Sequence, residues 1–98
     1  MKYQLTIQLP SALYGDLYWL ATLEDRLDTI LVDSIVDGHD IANDIINIFI
    51  HTDEPVMTFS LVKNLLEADR VDLTKIRSNY RELTGEHYTH LWPLELCK

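Results

Sequence analysis

The side chains able to do chemistry are few and sit close together. His39, His51, His87 and His90 stand among the carboxylates of Asp37, Asp40, Asp53 and Glu86, the raw material of a metal site or of a general acid and base. Their spacing serves neither purpose well. His87-x-x-His90 is not the i, i+4 pair that a helix turns toward one ion, and on a strand an interval of three sends the two rings to opposite faces. Asp37/His39/Asp40 and His51/Asp53/Glu54 place imidazole beside carboxylate, but neighbours this close in a turn or at a strand edge arise constantly by chance. The glycines at 15, 38 and 85 are isolated and build no phosphate loop. No metal ligand set, cofactor or catalytic residue is therefore implied. A small metal-assisted or small-ligand enzyme using His51, His90 and nearby carboxylates is kept as the alternative.

Charge narrows the partners. Sixteen acidic residues against eight basic ones give a net charge of −8, with an isoelectric point near 4.7. Such a field repels phosphate backbones and anionic lipid, so nucleic acid and membrane are not expected ligands. A basic protein surface is the complementary partner. The single cysteine, Cys97, points to a reducing compartment. There is no apolar run long enough for a signal peptide or a span, so the expected location is the cytoplasm.

Positioning these side chains falls to a short chain. At 98 residues and 47% apolar composition it builds one core, expected as a single domain over 1–93 with a flexible tail at 94–98. Tyr3, Leu5, Ile7 and Leu9 alternate with polar residues, which predicts a strand that Pro10 stops. Leu13, Leu17, Leu20, Leu23, Leu27 and Leu31 form one helical stripe, with Ser11 or Asp16 as cap. Asp37-Gly38-His39-Asp40 reads as a turn beside a short strand. Ile45 to Thr52 is a strand apolar on both parities and so belongs inside the sheet.

Asp53-Glu54-Pro55 starts a second helix, with either acid as cap, whose apolar face is Val56, Phe59, Val62 and Leu66. Ile76 to Leu83 and His87 to Trp92 read as a hairpin in which Gly85 supplies positive φ, with a helix over Leu73 to Arg81 as the competing reading. The order βαββαββ predicts an α+β fold of the ferredoxin-like split βαβ type: a mostly antiparallel sheet with two helices on one face.

That architecture leaves the other face of the sheet open. Ile48 and Ile50 share one parity, and Asn47, Phe49 and His51 share the other. In the last strand Tyr88, His90 and Trp92 group together. If both sets face away from the helices, Phe49, His51, Tyr88, His90 and Trp92 form an aromatic and imidazole patch. Exposed patches of this kind mark contact with a partner. RNA-recognition sheets use aromatics similarly, but they need basic neighbours that this chain lacks.

The run Asn47-Ile48-Phe49-Ile50-His51-Thr52-Asp53-Glu54-Pro55, with Tyr80-Arg81-Glu82-Leu83, Gly85-Glu86 and Leu91-Trp92-Pro93, resembles a family of small uncharacterised bacterial proteins. The likeness spans most of residues 3–93 and implies a bacterial cytoplasmic setting, with no catalytic residues supplied. More loosely, size and acidity resemble the immunity proteins that neutralise toxic nucleases. The functional expectation is thus a non-enzymatic acidic protein-binding domain, with an immunity-type inhibitor of a basic bacterial toxin as its most specific form. It would act through Asp37, His39 and Asp40 together with Phe49, His51, Tyr88, His90 and Trp92. A structural homodimer is the remaining alternative.

Overall fold

The computed structural model describes residues 1–93, so the tail expected at 94–98 lies outside the described residues. Strand β1 (Tyr3–Pro10) lies in the middle of five. It pairs antiparallel with β3 (Ile45–Thr52) on one side and β4 (Arg77–Glu82) on the other. Strand β2 (Ile35–Ala42) borders β3, and β5 (Thr89–Trp92) borders β4. The order β2-β3-β1-β4-β5 is consistent with a ferredoxin-like α+β fold, with β5 added at one edge. Leu5, Ile7 and Leu9 alternate inward beside Ile46, Ile48 and Ile50, and these six meet the helices in one core.

The leucine stripe is one surface but not one helix. Helix α1 (Ser11–Tyr14) ends before Gly15, and α2 (Leu17–Ile30) begins after it. A side chain at Gly15 would place Cβ 2.4 Å from the Ser11 carbonyl oxygen, so the chain turns there only with glycine. Asp16 then caps α2, accepting from the backbone N–H groups of Tyr18 and Trp19, while Ser11 caps nothing. Leu20, Leu23, Leu27 and the following Leu31 are buried, whereas Leu13, ahead of the break, and Leu17, the first residue of α2, are exposed.

Helix α3 (Pro55–Ala68) starts on proline, as the sequence predicts, but neither acid caps it. The Thr52 hydroxyl accepts from the Glu54 N–H at 3.0 Å, and Asp53 instead accepts from the Lys2 N–H at 2.9 Å. Phe59, Val62 and Leu66 are buried; Val56 is exposed, because the inward face of the first turn is taken by Pro55 and Thr58.

The turn expected at Asp37–Asp40 lies further on. Asn43 and Asp44 both have positive φ (53° and 64°) and join Ala42 to Ile45, the geometry that fits the twist of a two-residue hairpin. Gly38, with φ at 104°, lies inside β2, where the register shifts between Val36 and Gly38 as a bulge. Gly85 does not have positive φ. The loop between β4 and β5 is held instead by Arg81, whose Nη1 donates to the carbonyl oxygens of Glu82, Leu83 and Gly85. Leu73–Lys75 forms one 3₁₀ turn ahead of β4, so the helical alternative for 73–81 survives only in its first residues.

Candidate functional site

Registers assign the helix-free face residue by residue. Three rows cross it: Asp40–Asn47–Gln8–Arg77, then Gly38–Phe49–Thr6–Asn79–His90, then Ile35–His51–Gln4–Arg81. Asn47, Phe49 and His51 share this face, opposite in parity to the buried Ile46, Ile48 and Ile50. A lateral ladder ties the first row together: Gln8 Nε2 donates to Asn47 Oδ1 at 2.9 Å, and Asn47 Nδ2 donates to Asp40 Oδ1 at 3.0 Å. His51 Nε2 stands 3.6 Å from Asp37 Oδ2. Tyr88 joins Thr6, Gln8, Asn47, Phe49 and Asn79 around a shallow depression of about 360 Å³.

Trp92, expected on this face, and His39, expected in the turn at 37–40, both lie on the helix side. Trp92 pairs with Ser78 and His90 with Asn79, so Leu91 is the extra residue of a bulge and the simple alternation of the strand fails. His90 stays with the open face, its Nε2 hydrogen-bonded to the Pro93 carbonyl. Trp92 turns to the helix side, where it packs on Phe59 with ring centroids 6.1 Å apart and donates from Nε1 to the Leu73 carbonyl at 2.9 Å. Lys63 lies over the same indole at 4.8 Å. His39 also points to the helix side: it pairs with Ile48 in register and its Nδ1 is 2.6 Å from Glu24 Oε1 on α2.

His51 and His90 do not converge. They stand on β3 and β5 with β1 and β4 between them, about 14 Å apart at strand spacing. Among the described residues no group of three histidine, cysteine or carboxylate side chains is placed to hold a metal ion.

A larger concavity is one that the pattern of motifs did not point to. It is an open groove of about 650 Å³ between the end of α2, the start of β2 and the first two turns of α3. Met1, Ile30, Val32, Ile35, Met57 and Leu61 supply apolar side chains that all remain exposed, Val32 at 85% and Met57 at 64%. Met57 and Leu61 lie one helical turn apart and form a second apolar row on α3, beside the core row.

Hydroxyls sit at the base of the groove and are spent on one another. Thr58 Oγ1 lies 2.7 Å from Thr52 Oγ1 and 3.5 Å from Ser34 Oγ, and Thr52 Oγ1 also accepts from the Glu54 N–H just ahead of α3. Asp33, Asp53 and Glu54 edge the groove, all exposed. The signal for this site in the sequence is the surplus of apolar residues on α3, where Met57, Leu61 and Leu65 exceed what one buried stripe needs.

Among the described residues no helix is long and apolar enough to cross a membrane. Comparison of the chain with protein-family models, with curated proteins and with solved structures finds no match.

Proposed function

We propose that the chain is a non-enzymatic acidic protein-binding domain whose groove between α2 and α3 receives a basic protein partner. The observation that carries this reading is the combination of six exposed apolar side chains in one concavity with the carboxylates of Asp33, Asp53 and Glu54 at its edge. Apolar area supplies binding free energy at about 25 cal/mol per Å² removed from water. A carboxylate rim on a chain of net charge −8 speeds encounter with cationic surfaces and rejects anionic ones.

In its most specific form the role is that of an immunity-type inhibitor, produced in the bacterial cytoplasm and occupying a basic toxin. The resemblance of Asn47–Pro55 and the Leu91-Trp92-Pro93 segment to small bacterial proteins supports that setting, and the acidity supports the sign of the partner's charge. Asp37 and Asp40 on β2 extend the acidic surface beyond the groove.

The test compares the wild-type chain with a Met57→Lys, Leu61→Lys double variant as baits in extracts of the native host. Both positions are exposed, so the fold tolerates the change. A basic protein retained by the wild type and released by the double variant supports the reading. Equal retention by the two baits, or no basic protein on either, contradicts it.

A further inference from the structure

We propose that the helix-free sheet face binds a second copy of this chain, about a two-fold axis running parallel to the strands between β3 and β1. This surface meets the groove by α2 and α3 at Ile35, the end of one of its rows, and is otherwise distinct from it.

The charges across this face are segregated. Asp37 and Asp40 stand on β2; Arg77 and Arg81 stand on β4. Asp40 and Arg77 end the same row, Asp40–Asn47–Gln8–Arg77, three strand spacings or about 14 Å apart. They cannot reach each other within one chain. A two-fold parallel to the strands keeps the height of each row and exchanges its ends, so Asp40 comes to lie over Arg77 of the partner subunit, and the reverse. The row of His51 runs from Ile35 to Arg81, so the same operation lays Ile35 over Arg81 of the partner subunit, with Asp37, 3.6 Å from His51, beside it. A two-fold across the strands would stack β2 on β2, acid over acid. Charge therefore selects one axis, and that axis gives the aligned packing that pairs of sheets prefer.

The centre of the face fits the same operation. With the axis between β3 and β1, Phe49 comes over Thr6 of the partner subunit. Thr6 belongs to the depression of about 360 Å³ that Tyr88, 62% exposed, borders on one side. Each copy thus offers an aromatic ring and a hollow to receive one. Asn79 also lines this hollow, and its buried Oδ1 has no hydrogen-bond partner among the described residues. The face is mostly polar and covers only four to five strands, so the association is of the modest, concentration-dependent kind.

Charge reversal tests this by sedimentation over a wide range of concentration, with circular dichroism to check the fold. The variants are Asp40→Arg and Arg77→Asp. Wild type is expected to dimerise, and each single variant to lose about tenfold in association constant, since like charges then oppose at both symmetry-related positions. An equimolar mixture of the two variants is expected to recover a heterodimer, because Arg at 40 then meets Asp at 77 and the native pair forms at the other end. That recovery has no intramolecular explanation. A wild-type chain that stays monomeric throughout, a dimer indifferent to both reversals, or a mixture that fails to recover overturns the proposal.

Discussion

Trp92 faces the helices while His90, two positions earlier, faces away from them, because Leu91 is the extra residue of a bulge opposite the Ser78–Asn79 step. The indole rests on Phe59 and bonds the Leu73 carbonyl, so it anchors the edge strand to α3 and to the 3₁₀ turn. Trp92→Ala is expected to cost about 3 kcal/mol. Trp92→Phe keeps most of the packing and loses the hydrogen bond, about 1 kcal/mol. His90→Ala is expected to stay within about 0.5 kcal/mol, as for other exposed positions. Urea unfolding measures all three; equal losses for Trp92→Ala and His90→Ala would contradict the bulged register.

The glycines in the turn-like segments separate by backbone, not by space. A Cβ at Gly38 would meet nothing within 4 Å, yet φ there is 104°, so Gly38→Ala carries a conformational cost of about 1–2 kcal/mol. Gly85 lacks positive φ and its nearest contact for a Cβ is the Glu82 Cβ at 3.4 Å, so Gly85→Ala is expected to be nearly neutral. Thermal unfolding of the two variants orders them, and the reverse order would place the special backbone in the wrong loop.

Helix α2 depends on one side chain for its start. Asp16 Oδ1 accepts from the N–H groups of Tyr18 at 2.9 Å and Trp19 at 3.2 Å. Asp16→Ala is expected to lower stability by about 1 kcal/mol and Asp16→Asn by much less. Ser11→Ala, which removes no cap, serves as the control in the same denaturant series.

Asp72 contributes to stability in acid. The Thr74 hydroxyl and backbone N–H both donate to Asp72 Oδ1, at 2.6 and 3.0 Å, and hold its carboxyl below the usual carboxylate range. A carboxyl depressed in the folded state contributes stability above its unfolded value. That contribution is lost as pH falls through the folded value, because the unfolded chain then binds more protons. Asp72→Asn is therefore expected to flatten the decline in stability as pH falls below about 4, relative to wild type. Parallel curves for the two proteins in that range would remove Asp72 from the account.

Much of the fold was legible in the sequence because its period was clean. Alternation in β1 and β3 gave the buried row and the opposite row of Asn47, Phe49 and His51 without error. Three features broke the period. Gly15-Asp16 interrupts a leucine stripe that looks continuous, since a stripe does not record whether the backbone between its members is helical. Asp37-Gly38 has the composition of a hairpin turn but forms a bulge, while Asn43-Asp44, with no glycine, makes the turn. The bulge at Leu91 reverses the face of Trp92, and nothing local in Thr89–Trp92 announces it. The groove was less legible still, because its walls come from separate segments, none of which carries a pattern of its own. Only the excess width of the apolar sector on α3 hinted at it.

The central claim is that the groove by Met57 and Leu61 is the surface on which a basic protein docks. Site-specific photo-crosslinking tests it most directly, with a photoreactive phenylalanine analogue in place of Leu61 and, as control, in place of Tyr18, an exposed residue of α2 outside the groove. The account predicts a single basic protein crosslinked from position 61 in the native host and not from position 18. Crosslinking of the same protein from both positions, or from 18 alone, would contradict it.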